Sequence, residues 1–208
     1  MGKNVVVIAS GETERRSLPH LLAHLQAEDI ALVEVRIPPL GKALNVEMTE
    51  KLVKASWFER IAAPPDKFVV LVDADGRTPD DVLRPFREQL PGRIGATIGA
   101  QLQFACAQWH LEAWYFADIS ALRGYLNRDP GSVDPSKPDE IQHPKFHLKH
   151  LLGKRAYTAV VSEEIAKRLN AETIGQRSPS FQGFLQAVRN GDRTLDVQAG
   201  HSVRPTIL

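Results

Sequence analysis

Three short apolar runs rich in β-branched residues, KNVVVIAS, IALVEVRIP and KFVVLVD, alternate with longer stretches whose apolar residues recur at helical spacing. Runs of this length with apolar residues at nearly every position suit strands buried on both faces. Leu18, Leu21, Leu22 and Leu25 share one helical face between the first two runs. NVEMTEKLVKASWFERIA is amphipathic and ends at Pro64-Pro65. TPDDVLRPFREQL places Thr78 as N-cap and Pro79 at the first helical position, and Pro85 is expected to kink or shorten that helix. Strand and helix in alternation predict an α/β fold, a mostly parallel sheet flanked by helices. IGATIGAQLQFACAQ adds one strand or two short ones. From about residue 109, at WHLEAWYFADISALRGYL, the pattern turns mainly helical, with AVVSEEIAKRL and PSFQGFLQAVRN as the last helices. The Pro-rich segment RDPGSVDPSKPDEIQHP is the best candidate for a mobile loop. The whole reads as a single domain, residues 1–208, with a helical C-terminal extension.

With 43% hydrophobic residues the chain has material for a substantial core. A formal net charge of +1 creates no global field for nucleic acid or membrane, so any basic site must be local. No apolar run is long enough to span a bilayer. The one cysteine, Cys106, has no internal disulfide partner, which fits a cytoplasmic protein; in LQFACAQW it reads as a small buried hydrophobe rather than a nucleophile.

Chemistry-bearing residues cluster at the ends of the apolar runs. FVVLVDADGRTPDD closes the third run with Asp73 and Asp75. Asp and Gly are ordinary turn residues. Equally, open α/β sheets place ligands at the carboxyl ends of their strands. Two carboxylates on the same side of an extended chain repel unless a cation or proton lies between them. After the first run, ASGETERR offers Glu12 as the ligand candidate nearest the strand end, with Glu14 assigned to the helix dipole. AQWHLEAWYFAD carries Gln108 and Glu112 one helical turn apart in an otherwise apolar stretch; a buried Glu112 needs a metal, an arginine or backbone partners. IQHPKFHLKHLLGKR is a local basic patch with Lys145, Lys149, Lys154 and Arg155 among three histidines, to which Arg15 and Arg16 add. Such a run is commonly a solvated helix face and is also a plausible phosphate-binding surface.

The segments G-x-T-E, D-x-D-G, Q-x-x-x-E-A-W-x-x-A-D, P-K and S-x-S-F occur here in that order between about Val5 and Val188. In this combination the chain resembles the domain of unknown function 4276 family of Toprim-like proteins. The resemblance implies a Toprim-like, Rossmann-like α/β core, in which a glutamate after the first strand and a D-x-D after a later one bind magnesium or manganese for phosphodiester chemistry. It implies nucleic acid as substrate and an ATPase partner encoded nearby, in an anti-phage setting. Asp73 and Asp75 match the D-x-D, Glu112 the E-A-W glutamate and Lys145 the P-K lysine. Relatives usually read V-E-G-x-T-E, so Ser10 stands where the usual glutamate belongs. The expectation is that Glu12 substitutes for it, forming a metal and catalytic set of Glu12, Asp73, Asp75 and Glu112 with Lys145. Arg15, Arg16, Lys145 and Lys149 would contact nucleic acid. The alternatives are a degenerate Toprim-like sensor without catalysis and a metal-dependent phosphohydrolase, since VDADGRT also resembles the D-x-D-G-T of haloacid-dehalogenase-like phosphatases.

Overall fold

A computed structural model describes residues 2–95, 97–131 and 133–189. Four strands form one sheet: β1 (Lys3–Ile8), β2 (Ile30–Arg36), β3 (Lys67–Asp73) and β4 (Gln101–Ala107), in the order β2-β1-β3-β4. Every pairing is parallel, with Val5 opposite Lys67 on one side of β3 and Lys67 opposite Gln101 on the other. The connections are α1 (Glu12–Leu21) with a 3-10 turn at Ala23–Glu28, then α2 (Val46–Glu59) and α3 (Pro79–Ile94). After β4 come α4 (Glu112–Ala117), α5 (Ile119–Leu126), α6 (Pro144–Leu152), α7 (Ala159–Ala166), α8 (Ala171–Arg177) and α9 (Pro179–Arg189). The fold is therefore the expected parallel sheet flanked by helices with a helical C-terminal part. GATIGAQLQFACA supplies one strand, not two.

Strand alternation sorts the core into two layers. Val5, Val7, Val69 and Leu71 pack with Leu18 and Leu21 of α1 and with α4, α7 and α9. Val6, Ile8, Phe68, Val70 and Val72 pack instead with Val53 of α2 and with Val82, Leu83, Phe86 and Leu90 of α3. Each such side chain contributes roughly 1.5–3 kcal/mol by burial. This explains why α3 runs on to Ile94 through Pro85 and Pro91 and is not shortened at Pro85. Its buried face outweighs interior prolines that cost about 3 kcal/mol each.

The chain order fixes where a ligand can sit. From β1 the chain crosses to β2 on one side, and from β3 it crosses to β4 on the other. The carboxyl ends of β1 and β3 therefore flank a topological switch point, where the diverging connections leave a crevice.

The region after β4 is mainly helical, as expected, and is split into α4 and α5. Asp118 divides it, accepting a hydrogen bond from Ala121 N at 3.2 Å as N-cap of α5 and another from Asn170 N at 2.9 Å. A short carboxylate that satisfies free helix N–H groups starts a new helix more readily than it sits inside an old one. Gln108 lies outside α4, and its Nε2 donates to Arg77 O at 3.1 Å, so it does not share a helix face with Glu112.

The tryptophan of E-A-W and the S-x-S-F segment serve packing. Trp114 is fully buried, stacked 5.7 Å from Phe184 and edge-on to Phe181 at 4.9 Å. Its indole N–H donates to Ser180 Oγ at 2.8 Å. Asp139 accepts from the hydroxyls of Ser178 and Ser180 and from Ser180 N. The S-x-S-F segment thus ties the Pro-rich loop and α9 to the tryptophan of E-A-W. Ser180→Ala leaves the buried indole N–H unpaired and should cost about 1–3 kcal/mol in urea unfolding. In a Trp114→Phe background the same change should cost clearly less; equal losses in both backgrounds would break this account.

Candidate active site

The turn after β3 is held by the end of β4. Ala74 N donates to Ala107 O at 2.9 Å and Gly76 N to Gln108 O at 3.0 Å. Asp75 and Gly76 both adopt left-handed backbone, with φ of 51° and 77°. At Gly76 a Cβ would lie 2.5 Å from the Trp109 ring, so only glycine closes this turn. The chain is consequently not extended at Asp75. Its exposed carboxylate turns to His110 Nε2, at 2.9 Å, while Asp73 stays at the end of the strand.

The acid delivered from the first strand is Glu14, not Glu12. Glu12 lies on the outside of α1 in ion pairs with Arg15 at 2.7 Å and Arg16 at 3.0 Å, and the Arg15 hydrogen bond holds its carboxyl below the usual range. Glu14 is two residues, about 200°, further round the helix and is only 6% exposed. Its own backbone N–H and the Ser10 side chain favour its ionised form and partly offset the effect of burial. The leucine stripe carried this information: Glu14 is four residues before Leu18 and seven before Leu21, on the buried face. The helix-dipole reading of Glu14 looked only at its place in the first turn.

Glu112 enters from the start of α4, 1% exposed. Tyr157 donates its hydroxyl to Glu112 Oε1 at 2.7 Å, and Lys145 Nζ stands 3.7 Å from the same oxygen. Burial drives the Tyr157 phenol well above its ordinary range, so it serves as a donor and not as an anionic nucleophile. Lys145 also lies 6.0 Å from the Tyr157 ring centre.

These groups share one electrostatic neighbourhood. Burial is the main cause that lifts Asp73 well above the usual carboxyl range, followed by the charges of Glu14, Glu112 and Asp75; Lys145 opposes the rise. Asp73 keeps some solvent contact as a residue, but protein surrounds its carboxyl closely enough for burial to dominate. Glu14 is pushed up to about 7, again chiefly by burial, with Glu112 adding to the rise and its own N–H, Lys145 and Ser10 opposing it. Glu12 is absent from both sets of causes. A cleft of about 550 Å³, lined among others by Ser10, Asn45, Asp73, Asp75 and Arg77, reaches the two aspartates, while Glu14 and Glu112 lie buried behind it. A second cleft of about 620 Å³ on the far side of Ser10 is lined by Glu12, Arg15, Arg36 and Lys42.

Among the described residues no three carboxylates or imidazoles already stand in the arrangement of a metal site. Asp75 is engaged by His110, and Glu112 by Tyr157 and Lys145. The buried acids nevertheless fit a divalent cation in donor type and charge, because hard oxygen ligands that otherwise retain protons are what magnesium and manganese take.

The basic residues divide. Arg15 is spent on Glu12, and Arg16 on Glu12 and on Glu163 at 3.1 Å. They are neutralised within the protein and do not add to the basic patch. Lys149 is exposed on α6. Cys106 is 8% exposed and burial pushes its thiol up to about 12, which leaves it an inert core residue.

Known proteins place the chain within a family without supplying its chemistry. No helix among the described residues is long and apolar enough to cross a membrane. No curated protein sequence matches the chain. The C-terminal region of the OLD protein from Xanthomonas campestris pv. campestris is similar at 16% identity and a TM-score of 0.43, over 89% of this chain and 93% of that one. The C-terminal region of the Burkholderia pseudomallei OLD protein gives 16% identity and a TM-score of 0.43, over 91% and 98%. At these values the likeness carries no argument about mechanism. Residues 10–189 match the model of a domain of unknown function, DUF4276, and the chain belongs to that family.

Proposed function

We propose that this protein is a divalent-metal-dependent nuclease whose site is formed by Glu14, Asp73 and Glu112, with Asp75 at its rim and Lys145 as its cation. The observation that supports this reading is that acids from three separate elements, Glu14, Glu112 and Asp73, with Lys145, act on one another's charge beside the switch point, with Asp73 lining the cleft there. Asp73 and Glu112 keep the roles the family resemblance implies, Asp75 moves to the rim because His110 engages it, and Glu14 replaces Glu12. Glu14, Asp73 and Glu112 would hold magnesium or manganese after their side chains turn from their present partners. The ion would polarise a phosphodiester and lower the pKa of a coordinated water. Lys145, released from Glu112, would neutralise charge on a phosphate oxygen. Tyr157 orients Glu112, and Ser10 orients Glu14. With Arg15 and Arg16 neutralised, the protein alone offers little basic surface, so an ATPase partner would supply further nucleic-acid contacts.

A second reading has one specific observation in its favour. Lys145 already lies beside Glu112 and no metal geometry stands ready, as in a sensor module that has lost catalysis. Purified protein should be given magnesium or manganese with single-stranded and duplex DNA, RNA and a phosphomonoester. Metal-dependent cutting is expected, falling at least 100-fold in Asp73→Asn and in Glu14→Gln. Ser10→Glu should restore part of the activity of Glu14→Gln by returning a carboxylate to the crevice. Binding without cutting would establish the sensor instead, and turnover of the monoester alone would establish a phosphohydrolase.

Stability in the absence of metal follows from the same charges. Glu14 moves from 4.5 unfolded to about 7 folded. Between those values the folded state binds more protons, so stability falls as pH rises through that window. For Glu14 alone the loss is up to about 3 kcal/mol, and the raised Asp73 acts in the same direction. In EDTA the melting temperature should therefore drop between pH 5 and pH 8, and millimolar magnesium should recover it at pH 8. Asp73→Asn should melt higher than wild type at pH 8 in EDTA and lose most of the response to magnesium. A flat profile in wild type would contradict the electrostatic account.

A further inference from the structure

Helix α6 leads away from the site and carries Lys145, His147, Lys149 and His150 with no acidic residue. The acid-free stretch extends from Ile141 to Ser162 and includes Lys154 and Arg155. On α1 and α2, by contrast, Arg15, Arg16, Lys51 and Lys54 are each paired with a glutamate. Lys149 and Lys154 have no acidic partner among the described residues. Beside them Phe146 is 69% exposed, whereas most of the other phenylalanines lie in the core. Lys149 is four residues from Lys145, on the same helical face and about 6 Å further along the axis, and three residues from Phe146. The start of the helix is set against the site, since His143 meets Trp109 edge-on at 4.9 Å and Lys145 reaches Glu112.

We propose that the outer face of α6 binds single-stranded nucleic acid, with an unpaired base stacked on Phe146 and neighbouring phosphates on Lys145 and Lys149. An exposed aromatic ring beside cations is the element of a strand-tracking surface; Lys149 has no acidic partner among the described residues, and Lys145 would exchange Glu112 for a phosphate. Phe146 favours single strands because the faces of paired bases are hidden within the stack. One isolated phenylalanine ringed by lysine and histidine offers too little apolar area for a protein partner. The direction of the strand, into the carboxylate crevice, rests on the nuclease reading; the binding does not.

Fluorescence anisotropy in EDTA at low salt separates the two. The probes are labelled oligothymidylate, an abasic sugar–phosphate strand of equal length, and a duplex. Wild type should bind oligothymidylate most tightly. Phe146→Ala should weaken that binding about tenfold and leave the abasic strand unchanged, as expected for loss of one stacked base. Lys149→Gln should weaken both strands and reduce the salt dependence by about one phosphate contact. Phe146 is exposed, so its variant should melt with wild type. No binding by wild type, no effect of Phe146→Ala, equal loss on both strands, or duplex binding as tight as single-strand binding would each overturn the proposal. Because metal is absent, a failure of cutting leaves this result standing, and normal cutting with no role for Phe146 strikes only this inference.

Discussion

The molecule is organised around a local excess of buried negative charge. Glu14 and Glu112, from α1 and α4, both act on the charge of Asp73, which ends β3 beside the point where the chain order of the sheet reverses. Desolvation and the neighbouring carboxylates both disfavour the ionised forms of Glu14 and Asp73, and Lys145 is the one cation of the group that opposes this. Core residues on both sheet faces hold the acids there; without that packing the carboxylates would separate. Local instability carried by a rigid scaffold is the usual physical mark of a site that handles charge.

The neighbouring structure consists of devices that keep these side chains in place. The left-handed turn at Asp75 and Gly76 closes against Trp109 and fixes the end of β3 to the end of β4. Asp118 ends the apolar run of α4 after six residues. Trp114 anchors that short helix through Phe181, Phe184 and Ser180, so the E-A-W segment has two duties: the glutamate meets Tyr157 and Lys145, and the tryptophan packs in the core. Disturbing Ser180 or Asp139 therefore acts on Glu112 through the seating of α4, without contact between them.

The strands were legible because β-branched apolar runs of strand length have few other uses, and their alternation with amphipathic segments specified a parallel sheet. Pro85 misled because a propensity penalty was weighed without the burial of Phe86 and Leu90 that offsets it. The break at Asp118 was a capping signal hidden inside an apolar stretch. Asp73, Glu112 and Lys145 were legible as candidates from their positions in the motifs. Their partners were not: that Tyr157 bonds Glu112, or that His110 turns Asp75 aside, depends on contacts between residues 45 and 35 positions apart. The tail beyond residue 189 drew no reading from its sequence and lies outside the described residues.

The exchange of Glu12 for Glu14 shows what the missing strand-end glutamate requires. Proximity in sequence favours Glu12, which is two residues from Ser10 and on the same side of an extended chain. The chain is not extended there, because α1 begins at Glu12 itself. Once a helix starts, side follows a 100° rotation per residue, and Glu12 turns outward to the arginines one turn on. Glu14 turns inward over Gly11, whose missing side chain leaves Glu14 Oε2 3.5 Å from where a Cβ would lie. Ser10 then has a use a glutamate in its place would not have: it is short enough to leave room for the Glu14 carboxyl and polar enough to favour its ionised form. In the proposed site the carboxylate whose charge acts on Asp73 thus comes from α1 instead of from the strand end.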